Sequence, residues 1–104
     1  YVSVSDYCDR IGRCIAQLGH NLFILIPPGV PYNMDPTTAL AIRAEMLTRW
    51  PNNVLDWRDW IANTGGVINQ NRMLNYPSDL YHLNATAMTE MANGVAAFRA
   101  AKGW

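Results

Sequence analysis

Serine is scarce in this chain of 104 residues: only Ser3, Ser5 and Ser78 occur. Ser3 and Ser5 lack the glycine-rich strand-to-helix turn that exposes a nucleophilic hydroxyl, and Ser78 reads as a turn residue beside Asp79. No residue of the chain is therefore assigned as a nucleophile. Excess charge of either sign is also missing. Eight basic and eight acidic residues give a formal net charge of zero, and the arginines and the lysine form no run. Without a basic stripe to neutralise phosphates, nucleic acid is not an expected partner. No apolar run approaches the roughly 18 residues of a membrane-spanning helix. The opening Tyr1-Val2-Ser3-Val4-Ser5-Asp6 has neither the layout of a signal peptide nor an initiator Met, which fits upstream sequence having been removed or omitted.

Cysteine is nearly absent too. Cys8 and Cys14 lie six apart in one expected helix, so they point to different sides and are poorly placed to bond each other. Their spacing fits no zinc pattern, and both read as small, partly buried helix residues. The two histidines, His20 and His82, belong to distant elements without ligand spacing. No metal site and no cofactor are expected.

What remains is half hydrophobic and 15% charged, the composition of a packed unit rather than a disordered one. Residues 1–104 read as a single unit with no internal repeat and no linker.

The first helix is expected from Ser5 or Asp6 to Gly19, burying Tyr7, Ile11, Cys14, Ile15 and Leu18. Leu22-Phe23-Ile24-Leu25-Ile26 is a short apolar run ended by Pro27-Pro28, and it reads as a strand buried on both faces. Asp35-Pro36 starts a second helix, with Ala39, Ile42, Arg43, Met46, Leu47 and Trp50 on one face and Pro51 at its end. Val54-Leu55-Asp56-Trp57 reads as a second strand. Its ending, Asp56-Trp57-Arg58-Asp59-Trp60-Ile61, either lines a substrate groove with two Trp and two Asp around an Arg or packs as a helical turn, the latter being the better reading. Residues 62–78 read as a loop. Asn84 caps a last helix, whose stripe is Met88, Met91, Ala92, Val95 and Phe98, with Gly103 as its stop.

This α, β, α, β, loop, α order implies an α/β class with a parallel sheet. Two strands buried on both faces lack neighbours, so the expected architecture is the C-terminal portion of a larger three-layer α/β/α domain. Its sheet would be completed by a missing segment or a partner chain.

The chemistry-bearing stretch is Ser78-Asp79-Leu80-Tyr81-His82-Leu83-Asn84. Residues three apart in a turn lie on one side, about 5–6 Å between Cβ atoms. The Asp79 carboxylate can thus accept the Nδ1–H of His82 and leave Nε2 as a general base.

The block Asp79-Leu80-Tyr81-His82-Leu83-Asn84, with Met91-Ala92 beyond it, resembles the last conserved block of the SGNH (GDSL-type) hydrolases. The run ending in Ile26-Pro27-Pro28 is similar to a strand of that family's flavodoxin-like fold. The specific part of the likeness covers about a dozen residues, and Ala87 stands where the family usually has Gly. The resemblance implies a serine ester hydrolase in which Asp79 and His82 are two members of a Ser-His-Asp triad. It would act through an acyl-enzyme on an ester or an acetylated small molecule or glycan, without a metal or cofactor. The serine and oxyanion donors would come from a segment not in this chain, either an upstream half of the same domain or a complementary chain. Alone, the chain is expected to have little activity. The alternative is a non-catalytic α/β interaction module or a degenerate hydrolase relative.

Overall fold

The computed structural model describes residues 3–28, 36–56, 69–79 and 82–104. Within them lie three α-helices: α1 (Val4–Leu18), α2 (Pro36–Arg49) and α3 (Ala85–Lys102). A 3-10 turn spans Gln70–Arg72.

Each helix end has a local cause. The Ser3 hydroxyl accepts the Asp6 N–H at 3.1 Å, so α1 starts slightly earlier than the acidic turn suggests. Gly19 ends it in the left-handed region, φ 69°, which side chains rarely adopt. Pro36 stands at the first position of α2, where a missing N–H costs nothing. The expected cap, Asp35, lies outside the described residues. Asn84 caps α3 through Oδ1, which accepts the Ala87 N–H at 3.0 Å, and Gly103 closes it at φ 72°.

The sheet is the principal correction. Among the described residues there is no strand, so the chain is not the C-terminal part of a parallel-sheet α/β/α fold, flavodoxin-like or otherwise. Where two strands were expected, Leu25 and Val54 form one isolated parallel bridge. The Leu25 N–H donates to the Asn53 carbonyl, and the Leu55 N–H to the Leu25 carbonyl, each at 2.8 Å. One rung is not a ladder. Parallel pairs are weak per residue and need further neighbours. On one side Pro27 and Pro28 bring no N–H; on the other, the turn leaving α2 runs up to Asn53, whose N–H donates to the Trp50 carbonyl. The apolar run is spent on packing instead. Leu25 packs on the core, while Leu22 and Ile26 are 62% and 40% exposed. With the sheet goes the argument that strands must be imported from another segment or chain.

Among the described residues two apolar clusters replace it. The first joins Cys8 of α1 to Ile42 and Met46 of α2 and to Val54, with Val4, Tyr7, Ile11, Leu25, Leu47 and Trp50 around it. The buried face of α1 is thus turned from the expected one: Cys8 is fully buried, whereas Cys14 and Leu18 are exposed. The face expected for α2 is the face that packs. Arg43 at its edge pairs with Asp56, which ties α2 to the segment after the bridge.

The second cluster centres on Met73 and Ala87, with Tyr76, Leu83 and Met91 against them. Here too the stripe shifts by one position. Ala87 and Gly94 are buried, whereas Met88 is 57% exposed. Met73, Tyr76 and Leu83 thus pack on the face of α3 that carries Ala87, one position from the expected Met88.

Candidate functional site

The candidate site is the excursion that leaves the second cluster at Leu74 and returns at His82. Its base is fixed by backbone pairing. The Leu74 N–H donates to the His82 carbonyl at 2.9 Å, and the Asn84 N–H to the Arg72 carbonyl at 2.9 Å. Met73 and Leu83 form an antiparallel bridge between them. The Asn84 side chain adds a second hold. Its Nδ2 donates to the Asn71 carbonyl at 2.7 Å while its Oδ1 caps α3. Arg72 then clamps the turn to α3 through two parallel bonds to Glu90, each 2.8 Å. Glu90 holds the Arg72 guanidinium above its ordinary pKa, chiefly by these hydrogen bonds.

The tip is shaped by residues 75–79. The Asn75 carbonyl accepts both the Asp79 N–H, at 3.0 Å, and the Ser78 hydroxyl, at 2.6 Å. Ser78 is therefore committed to the turn, as Ser3 is to capping α1. Asp79 is thereby aimed at His82. One carboxylate oxygen accepts the His82 backbone N–H at 3.0 Å, and the other lies 2.7 Å from Nδ1.

An ionised carboxylate can only accept, so the proton between them belongs to Nδ1. In the neutral imidazole Nε2 then carries the lone pair, and it has no hydrogen-bond partner among the described residues. The imidazole is 75% exposed and the carboxylate only 22%. Chemically this is a base held at one nitrogen and presented to solvent at the other. Leu80 and Tyr81, between the pair, lie outside the described residues.

The structure thus brings together the two residues singled out in sequence, Asp79 and His82. It keeps His20 away from them, at the end of α1, where its Nδ1 accepts the Leu22 N–H at 3.1 Å. Among the described residues, no group of three or more His, Cys, Asp or Glu side chains could hold a metal. No described helix is long and apolar enough to cross a membrane. Of the stretch read as a groove or a helical turn, Asp56 pairs with Arg43, and Trp57, Arg58, Asp59, Trp60 and Ile61 lie outside the described residues.

Sequence reasoning missed the Arg72–Glu90 clamp and the second role of Asn84. Both span more than ten residues and have no local pattern. The nearest available signal was the crowding of Asn69, Gln70, Asn71 and Arg72, polar groups with backbone to satisfy just upstream of the pair.

No family model, curated protein or solved structure matches this chain.

Proposed function

We propose that Asp79 and His82 are the orienting acid and general base of a serine esterase or deacetylase, and that this block is related to that of the SGNH hydrolases. The relation is proposed for the block alone, since the described residues do not form that family's sheet. The observation that carries the reading is the geometry of His82: Nδ1 held at 2.7 Å by a carboxylate, on a ring otherwise open to solvent. In the proposed reaction Nε2 takes the proton of a serine hydroxyl supplied by a segment not in this chain. The serine oxygen attacks the ester carbonyl, and His82 returns the proton to the departing alcohol. Water, deprotonated by His82, then releases the acid and the serine. Asp79 keeps the imidazole oriented and stabilises its cation.

A second reading rests on a specific bond. Asp79 also accepts the His82 backbone N–H, so the carboxylate closes a turn whether or not chemistry follows. On that reading the chain is a non-catalytic interaction module or a degenerate hydrolase relative.

The test is p-nitrophenyl acetate hydrolysis by the natural protein that carries this sequence, beside its His82→Ala and Asp79→Asn variants. Fluorophosphonate labelling locates the serine. The catalytic reading expects a labelled serine outside residues 1–104 and losses on the order of 10⁴-fold in both variants, with the fold retained. Undiminished hydrolysis in His82→Ala, or no labelled serine, sinks it in favour of the turn.

A further inference from the structure

At the opposite end of α3 lies a cleft of about 410 Å³, within the roughly 300–1,000 Å³ of small-molecule sites. Its walls come from three separate stretches: the segment after α1, the turn that leaves α2, and the end of α3. Trp50, Trp104 and Phe23 supply aromatic surface, and Asn21, Asn52 and Asn53 supply amides. We propose that this cleft binds a neutral saccharide.

Three features point to that ligand class. The first is the pairing of aromatic faces with planar amides. A pyranose has an apolar C–H face that stacks on an indole, and an equatorial rim of hydroxyls that both donate and accept. An Asn side chain answers that rim, since it offers two donors and an acceptor. Asn52 is exposed with no hydrogen bond among the described residues. Asn53 spends Nδ2 on the Asn21 and Phe23 carbonyls, at 3.1 and 2.9 Å, which fixes the side chain and leaves Oδ1 as acceptor.

The second feature is charge. Arg49 borders the cleft but already holds Asp9 at 2.6 Å and Glu45 at 2.7 Å. Lys102, the other cation of the lining, brings the sum of these four charges to zero. The cleft therefore offers no net positive field to an anion.

The third is that both tryptophans are held in place before any ligand arrives. The Trp50 ring reaches α1, 3.7 Å from where a Cβ on Gly12 would stand, and packs on the first cluster. The Trp104 backbone N–H donates to the Arg99 carbonyl at 2.9 Å, and its ring meets Phe98 edge-on with centroids 6.0 Å apart. Lys102 sits 5.3 Å over the other aromatic, Phe98. Walls that are already ordered lose little entropy on binding.

The cleft is remote from the Asp79–His82 pair. They lie at opposite ends of α3, whose 18 residues span about 27 Å. The proposal therefore stands or falls independently of the catalytic reading.

Heteronuclear NMR on this chain tests it, with cellobiose, maltose and N,N′-diacetylchitobiose as probes and inorganic phosphate as the anionic control. The expected result is a saturable shift of the Trp50 and Trp104 indole N–H and the Asn52 side-chain amide with at least one disaccharide, and none with phosphate. Asn52→Ala removes an exposed side chain without touching the core, and Trp104→Ala removes a stacking face. Each should weaken binding by about tenfold. No saturable shift with any of the three sugars, shifts lying elsewhere, unchanged affinity in both variants, or phosphate moving the same resonances would overturn the assignment.

Discussion

Cys8 and Cys14 sit on the same helix in opposite surroundings. Cys8 is fully buried and Cys14 is exposed. Burial pushes the Cys8 thiol above its ordinary 9.0, because the thiolate would lose its water; Arg49 opposes the shift, while Glu45 and Asp9 add to it. At pH 8 under native conditions, DTNB should therefore modify Cys14 quickly and Cys8 only after unfolding. Equal rates at both positions would show that Cys8 is not enclosed. The same shift has a sign for stability. The unfolded thiol ionises first as pH rises through about 9, so the native state binds more protons there and loses stability as pH climbs. Urea midpoints measured between pH 8 and 10.5 should fall, and Cys8→Ala should remove part of that slope. Cys8 was legible in sequence as a helix residue but not as a core residue. A six-residue spacing gives two candidate faces, and only the position of α2 decides between them.

At the scale of elements, the helices were largely readable because their signals are local. Asn84, Gly103, Gly19, Pro36 and Pro51 each act on the backbone within a turn of themselves. Stripes were less readable. Met88 and Ala92 were expected on the buried face of α3, yet both are exposed while Ala87 and Gly94 are buried, and the side chains that pack around Ala87, from Met73, Tyr76 and Leu83, come from a segment whose position no helical period encodes. Asn84 shows how one element end can carry two tasks. Replacing it with Ser keeps a capping oxygen and loses the bond to the Asn71 carbonyl, which should cost about 1 kcal/mol. Replacement with Ala removes the cap as well and should cost about 2 kcal/mol. Urea midpoints with unchanged m-values check this. Identical losses in the two variants would mean that the bond to Asn71 contributes nothing.

Across the whole molecule, the sheet was the illegible part. A five-residue apolar run flanked by turn residues satisfies a buried strand and a packed extended segment equally well, and periodicity cannot separate them. What separates them is the number of partners. Leu25 finds one rung with Val54 and then a place against the first cluster, so side-chain packing takes over where a ladder would have continued.

Among the described residues the outcome is two small cores that share no buried residue. Leu83, next to His82, packs on the second. Cooperative units tend to follow such divisions, and each can open with its own free energy. Met46→Ala should cost about 2–5 kcal/mol in the first core, since Met46 is only 2% exposed. Hydrogen exchange should then accelerate across α1 and α2, while the amides of Leu74 and Asn84 keep their protection. Met73→Ala, at a site 5% exposed, should do the reverse. Acceleration of all these amides together in both variants would show one cooperative core. Should the two cores open separately, the Asp79–His82 geometry depends on Met73, Ala87 and the Arg72–Glu90 clamp, and α1 can loosen without disturbing it.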